Sequence, residues 1–202
     1  MLVFWAQRLV LLSMPKTATT SLEAALAPRA DIIIRNPPDL KHAPTYRYRR
    51  FLRPMFDQIA PGADFELMAL VREPVSWLSS WYRYRSREEL AGHQNSTKGV
   101  SFDQFVGEFL SDAPAPYAKV GSQARFLCDE DGSVSVDQLF QYEQLPHAVA
   151  FLEDRLSCKL ELEKLNVSPS APVNLDKTLS DRLRAERSSE FRVWASAGRS
   201  AS

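Results

Sequence analysis

Glycine is scarce: the 202 residues contain seven, and none precedes Gly62. That excludes the Gly-x4-Gly-Lys-Ser/Thr loop of nucleoside triphosphatases from the first part of the chain. Cysteine is scarcer. Cys128 and Cys158 are too few for a disulfide framework and leave either two thiols or a single bridge. No apolar run reaches the roughly 18 residues of a spanning helix, and Met1 to Met14 is interrupted by Gln7 and Arg8. That opening also lacks a basic leader region, so it reads as a buried strand and not as a signal peptide, and the chain is expected to be cytoplasmic with no membrane partner. The sequons at Asn95 and Asn166 carry little weight without a secretory route. Net charge is absent too, with 25 basic and 25 acidic residues.

What is present is enough for one buried core: 45% of residues are hydrophobic and 10% aromatic, which predicts a single domain over 1–202. The balanced charge is unevenly placed. Residues 1–87 carry 13 basic and 7 acidic side chains, and residues 88–202 carry 12 and 18, so the first part has a field suited to an anion. Arg8 to Ser13 is a short apolar run ended by Pro15, as in a strand buried on both faces, and a helix capped by Thr19, Thr20 or Ser21 follows. Further strands are expected at 31–34, 65–71 and 134–142. Helices are expected at 45–60 with a break at Pro54, and at 74–87, 102–111, 145–156 and 180–194. Residues 88–100 read as a polar, lid-like loop. Alternation of strand, loop and helix points to an α/β fold with a central, mostly parallel sheet flanked by helices.

Met14-Pro15-Lys16-Thr17-Ala18-Thr19-Thr20-Ser21-Leu22 joins the first buried strand to a helix. It offers a lysine, four hydroxyls and a helix N-terminus whose free N–H groups favour phosphate or sulfate. Pro15 to Leu22 resembles the 5′-phosphosulfate loop of sulfotransferases, Pro-Lys-Thr-Gly-Thr-Thr-x-Leu, which holds 3′-phosphoadenosine-5′-phosphosulfate (PAPS). Arg72-Glu73-Pro74-Val75-Ser76-Trp77-Leu78-Ser79-Ser80 resembles the second motif of that family, an Arg at a strand end and a Ser eight residues on. Weaker likeness runs through Gln123 to Leu127, Tyr142 to Leu145 and Leu165 to Ser168.

The resemblance implies a P-loop-like sulfotransferase fold of the small bacterial type and a PAPS site formed by Pro15, Lys16, Thr17, Ala18, Thr19, Thr20, Ser21, Arg72 and Ser80. Arg72 and Ser80 would grip the 3′-phosphate, and Lys16 would be the catalytic cation beside the leaving group. Ala18 stands where the family usually has glycine, which reads as a loop already near helical geometry there. No metal is expected, because Arg72 ends the third strand where a Mg2+-holding carboxylate would be placed.

Transfer to a hydroxyl also calls for a base, and the chain has three histidines, His42, His93 and His147. Lys41-His42-Ala43-Pro44 resembles the Lys-x-His-x-Pro segment of cytosolic sulfotransferases, so His42 is the catalytic base candidate, with Lys41 as a second cation. Glu23, one helical turn past the loop, is the alternative carboxylate. Tyr46, Tyr48, Phe51 and Phe56 alternate with Arg47, Arg49, Arg50 and Arg53. At helical spacing this reads as a core face and a solvated face, not a nucleic-acid groove. The function implied is sulfotransfer from PAPS to a small-molecule or glycan acceptor, releasing adenosine 3′,5′-bisphosphate (PAP). A Mg-ATP-dependent kinase and a non-catalytic anion-binding module are the other readings.

Overall fold

The computed structural model describes residues 1–162 and 173–198; Leu165 to Ser168, the Asn166 sequon and Arg199 lie outside the described residues. The apolar opening is not one strand but two. β1 (Leu2–Phe4) and β2 (Leu9–Leu11) form an antiparallel hairpin that pairs Leu2 with Leu11 and Phe4 with Leu9. Arg8 closes the turn in the left-handed region (φ 54°), its N–H donating to the Trp5 carbonyl (3.3 Å). After α1 (Thr19–Leu26), β3 (Ile32–Ile33) pairs antiparallel with the outer edge of β1. On the other side β2 runs parallel to β4 (Glu66–Val71), and β4 parallel to β5 (Gln138–Gln141). The order is β3-β1-β2-β4-β5. The sheet is therefore mixed, with parallel pairing confined to the β2-β4-β5 half that bears the two motifs.

Strand alternation sorts the core into two layers. Val3, Val10, Leu67, Ala69 and Val71 face one way, against α4 (Arg53–Ile59), α5 (Pro74–Arg85), α6 (Phe102–Phe109) and α10 (Ser188–Ser196). Leu2, Phe4, Leu9, Leu11, Met68 and Leu70 face the other, covered by Leu22 and Leu26 of α1 and by Ala148 and Leu152 of α8 (Leu145–Arg155). β4 is an inner strand, buried along nearly its whole length and paired on both edges, which accounts for its nearly unbroken apolar sequence.

Several connections differ from the sequence expectation. Between α2 (Pro38–Lys41) and α4, helix α3 (Thr45–Arg47) passes into a π-helical segment, Tyr48–Leu52, immediately before Pro54. Pro54 has no N–H to donate to the preceding turn, so the break falls where its ring requires it. Tyr48 and Phe56 are core, whereas Tyr46 and Phe51 are exposed. The last helical stretch is two helices, α9 (Lys177–Glu186) and α10, separated at Arg187. Residues 88–100 do not hang free: buried Thr97 donates its N–H to Arg85 O (3.1 Å) and its hydroxyl to Tyr82 O (2.9 Å), and Lys98 pairs with Glu88. Both cysteines are free thiols. No helix among the described residues is long and apolar enough to cross a membrane.

Candidate active site

The loop from Met14 to Ala18 leaves the carboxyl end of β2 and is tied down through three successive carbonyls. Met14 O accepts from the Thr17 hydroxyl (2.8 Å), Pro15 O from Trp77 Nε1 (3.1 Å) and Lys16 O from Arg72 Nη1 (3.2 Å). Pro15 has no N–H and Thr17 is fully buried, so the N–H groups that the loop leaves near the surface are those of Lys16 and Ala18. Lys16 (φ 69°) and Ala18 (φ 59°) are both left-handed and Thr17 between them is not, an alternation of the kind found in backbone anion nests. The first bond of α1 is Leu22 N–H to Ala18 O (3.0 Å), and the Ala18 cap position supplies no side-chain acceptor. The N–H groups of Thr19, Thr20 and Ser21 therefore remain outside the helical ladder, at the positive end of its dipole.

Three expectations need correction here. Ala18 is not near right-handed helical geometry; it sits in the αL region, where an alanine methyl costs about 1–2 kcal/mol. Thr19, Thr20 and Ser21 lie inside the first turn and do not cap it. The Thr17 side chain is fully buried and donates to Met14 O, so it braces the loop from behind instead of lining it.

Lys16 projects over aromatic rings of α5, its Nζ 4.3 Å from the Tyr84 centroid and 5.6 Å from that of Trp81. No carboxylate pairs with it among the described residues. Burial, and then the positive charges of Arg87, Arg72 and Arg83, push its pKa down to about 8. The charge of Lys16 is disfavoured there, and an anion beside it would favour it again. Arg72 holds the other side. Its guanidinium lies 4.3 Å above the Tyr142 ring and donates through Nε to Ser76 Oγ (2.9 Å). It makes no ion pair among the described residues: Glu66 pairs instead with Arg155, and Glu73 caps α5 by accepting the Ser76 N–H (2.7 Å). The hydroxyl that meets Arg72 is thus Ser76, not Ser80, which is buried one turn further along α5.

His42 is brought to the same strand end. Its Nδ1 lies 2.6 Å from the carbonyl of Ser13, the residue before the loop. A carbonyl can only accept, so Nδ1 carries the proton and Nε2 keeps a lone pair. Burial holds the His42 pKa below the ordinary histidine range; the Ser13 bond opposes this and the Lys41 charge adds to it. Glu23 fares worse as a base, being bonded to Arg35 (2.6 Å) and paired with Lys41 (2.9 Å). Burial works to raise its pKa, but these two cations outweigh it and the net shift is downward. Of the basic run, Arg49 is held by Asp129 and Arg53 by Asp57, as befits a solvated face.

No protein-family model, no curated protein and no solved structure matches this chain. The site is therefore described by its own chemistry. It combines a helix start with free N–H groups, a lysine with no carboxylate partner among the described residues, a strand-end arginine and a histidine of defined tautomer. Trp77, Tyr84, Gln123 and Tyr142 also contribute, and no reading of the sequence gave any of them a site role, although Trp77 stood inside the second motif and Gln123 and Tyr142 inside stretches of weak family likeness.

Proposed function

We propose that the chain is a sulfotransferase that moves the sulfuryl group of PAPS to a hydroxyl or amine of an acceptor and releases PAP. The observation that carries this reading is the fastening of three consecutive loop carbonyls, one of them by Arg72, which sets Lys16 and the free N–H groups at the start of α1 beside that arginine. The residues suit the cofactor's charge. Its phosphate and sulfate groups are anionic, and Lys16 and Arg72, which pair with no carboxylate among the described residues, supply cations to meet them.

In this reading the N–H groups of Lys16 and of Ala18 to Ser21 hold the 5′-phosphosulfate, and Arg72, with Ser76 beside it, holds the 3′-phosphate. When bound, PAPS supplies a sulfuryl group joined to phosphate through an oxygen that gains charge as the bond breaks. Lys16 places its ammonium against that developing charge, where a fixed cation stabilises more than it would in water. His42 Nε2 accepts the proton of the acceptor, while Ser13 holds the ring from behind. The reading requires no carboxylate at Arg72, which sets it apart from Mg-ATP kinase chemistry at the same strand end.

Incubating labelled PAPS with a panel of phenols, sugars and amines tests the reading, since transfer of label to one class identifies the acceptor. With that acceptor, His42→Ala is expected to lower turnover about 100-fold or more while PAP affinity stays at the wild-type value. Unchanged turnover would remove His42 from the mechanism, and no label transfer to any acceptor would count against the activity itself.

A further inference from the structure

β4 ends at Val71, which pairs with Gln141, so Arg72 is one residue past the sheet. Its backbone is nevertheless held as a strand partner would hold it. Gln123, the first residue of α7 (Gln123–Leu127), accepts the Arg72 N–H at Oε1 (2.9 Å) and donates from Nε2 to the Arg72 carbonyl (2.8 Å). Only one orientation of the amide satisfies both bonds, since the N–H requires an oxygen and the carbonyl requires a donor. The side chain is fully buried, so water cannot substitute for either bond.

Gln123 is itself placed by the last helix, α10. Glu190 of α10, buried at 3% exposure, receives the Ser122 hydroxyl and the N–H groups of Gln123 (3.0 Å) and Ala124 (3.3 Å). Its carboxylate closes the N-terminus of α7 together with Ser122, whose hydroxyl accepts the Arg125 N–H (3.0 Å). A continuous line of hydrogen bonds thus runs from Glu190 through the start of α7 to Gln123 and the Arg72 backbone. From the Arg72 guanidinium it passes to the Lys16 carbonyl of the loop.

We infer that Gln123 is a positioning residue: its amide, anchored by Glu190, aims the Arg72 guanidinium at the bound anion and through it sets the Lys16 end of the loop. The inference rests on the reading of Arg72 as an anion-binding residue. It goes beyond that reading in assigning control of the site to an amide that touches no ligand. The amide is specific to the task. Asparagine would be a methylene too short, methionine would leave both Arg72 backbone groups unpaired, and an ionised glutamate would set an oxygen against the carbonyl. A protonated glutamate, with one O–H donor and one acceptor, would restore the pattern.

The test combines PAP titrations of wild type, Gln123→Met, Gln123→Glu, Arg72→Ala and the Arg72→Ala/Gln123→Met double variant with amide hydrogen exchange at Arg72. Gln123→Met is expected to weaken PAP binding about tenfold in the wild-type background and to have no further effect when Arg72 is already alanine, the signature of residues acting as one unit. Gln123→Glu is expected to bind weakly at neutral pH and to approach wild type as pH falls through its carboxyl titration, when compared with wild type at each pH. This arm holds even if the methionine variant does not fold. Arg72 exchange should accelerate in Gln123→Met. Exchange that is unchanged, an equal tenfold loss in both backgrounds, or a Gln123→Glu deficit that does not close at low pH would overturn the inference. Wild type that fails to bind PAP, with Arg72 exchange accelerated in Gln123→Met, would instead overturn the function while the positioning of Arg72 stood.

Discussion

Ala18 and Lys16 hold the two left-handed positions of the loop, and neither is glycine. Glycine at 18 would relieve the methyl but add backbone freedom to the unfolded chain, and at φ 59° the first effect is the larger. Ala18→Gly is expected to stabilise the protein by about 1 kcal/mol, a rise of roughly 2–4 °C in Tm by calorimetry. A fall in Tm would contradict the left-handed assignment. His42 yields a second residue-scale prediction. Burial lowers its pKa below the ordinary 6.5, so more acid is needed to protonate Nε2 and remove the base. The acidic limb of kcat/KM is therefore expected below pH 6.5, and a limb at or above it would mean that the base is exposed or is another group. Lys16, Arg72 and His42 were legible in the sequence because each belongs to a short pattern, the first two just after strands and His42 just after α2. The φ of Ala18 was not, since an alanine in a glycine position fits either a changed backbone or a strained one. The inward turn of Thr17 was not legible either, because one hydroxyl among four carries no mark of its direction.

At the level of elements, the loop is a graft of β2 and α1 onto α5. Trp77 shows how strongly they are joined, being 1% exposed and donating to Pro15 O. Trp77→Phe is expected to lower stability by about 1–3 kcal/mol through the unpaired carbonyl and also to weaken PAP binding several-fold, since the loop loses one of its three ties. Leu78→Ala, one residue on and equally buried, should cost about 2–5 kcal/mol in urea unfolding yet leave the PAP affinity of the folded protein unchanged. Equal effects of the two variants on affinity would remove Trp77 from any special role in the loop. Strong signals in the sequence mark the elements that were foreseen: the β4 apolar run, the Ser101 cap of α6, and Pro74 opening α5. The β1-β2 hairpin was hidden because its turn, Trp5 to Arg8, has neither glycine nor proline and sits within one apolar stretch. The α9-α10 break at Arg187 is equally unmarked in composition. Gln123 joins elements about 50 residues apart, and such pairings depend on the assembled sheet, not on local spacing.

Across the whole molecule, the uneven charge read along the chain has a spatial counterpart. Lys16, Arg72, Arg83 and Arg87 all come from the basic first part and converge, whereas carboxylates of the second part support from behind, Glu190 under α7 and Glu143 accepting the Glu73 N–H (2.9 Å). Confining parallel pairing to β2, β4 and β5 places the carboxyl ends of β2 and β4 side by side, and that is where the loop and Arg72 meet. The central claim is that this place binds a bisphosphorylated nucleotide through cations and N–H groups alone. A calorimetric titration with PAP at pH 8, with and without Mg2+ and in two buffers of different ionisation enthalpy, tests it most directly. With Lys16 titrating near 8, an arriving anion raises its pKa, so about half a proton is taken up per PAP bound. The account predicts binding of equal strength with and without Mg2+, accompanied by that uptake and weakened at least tenfold in Arg72→Ala. Binding that needs Mg2+, or that is indifferent to Arg72→Ala, would contradict it.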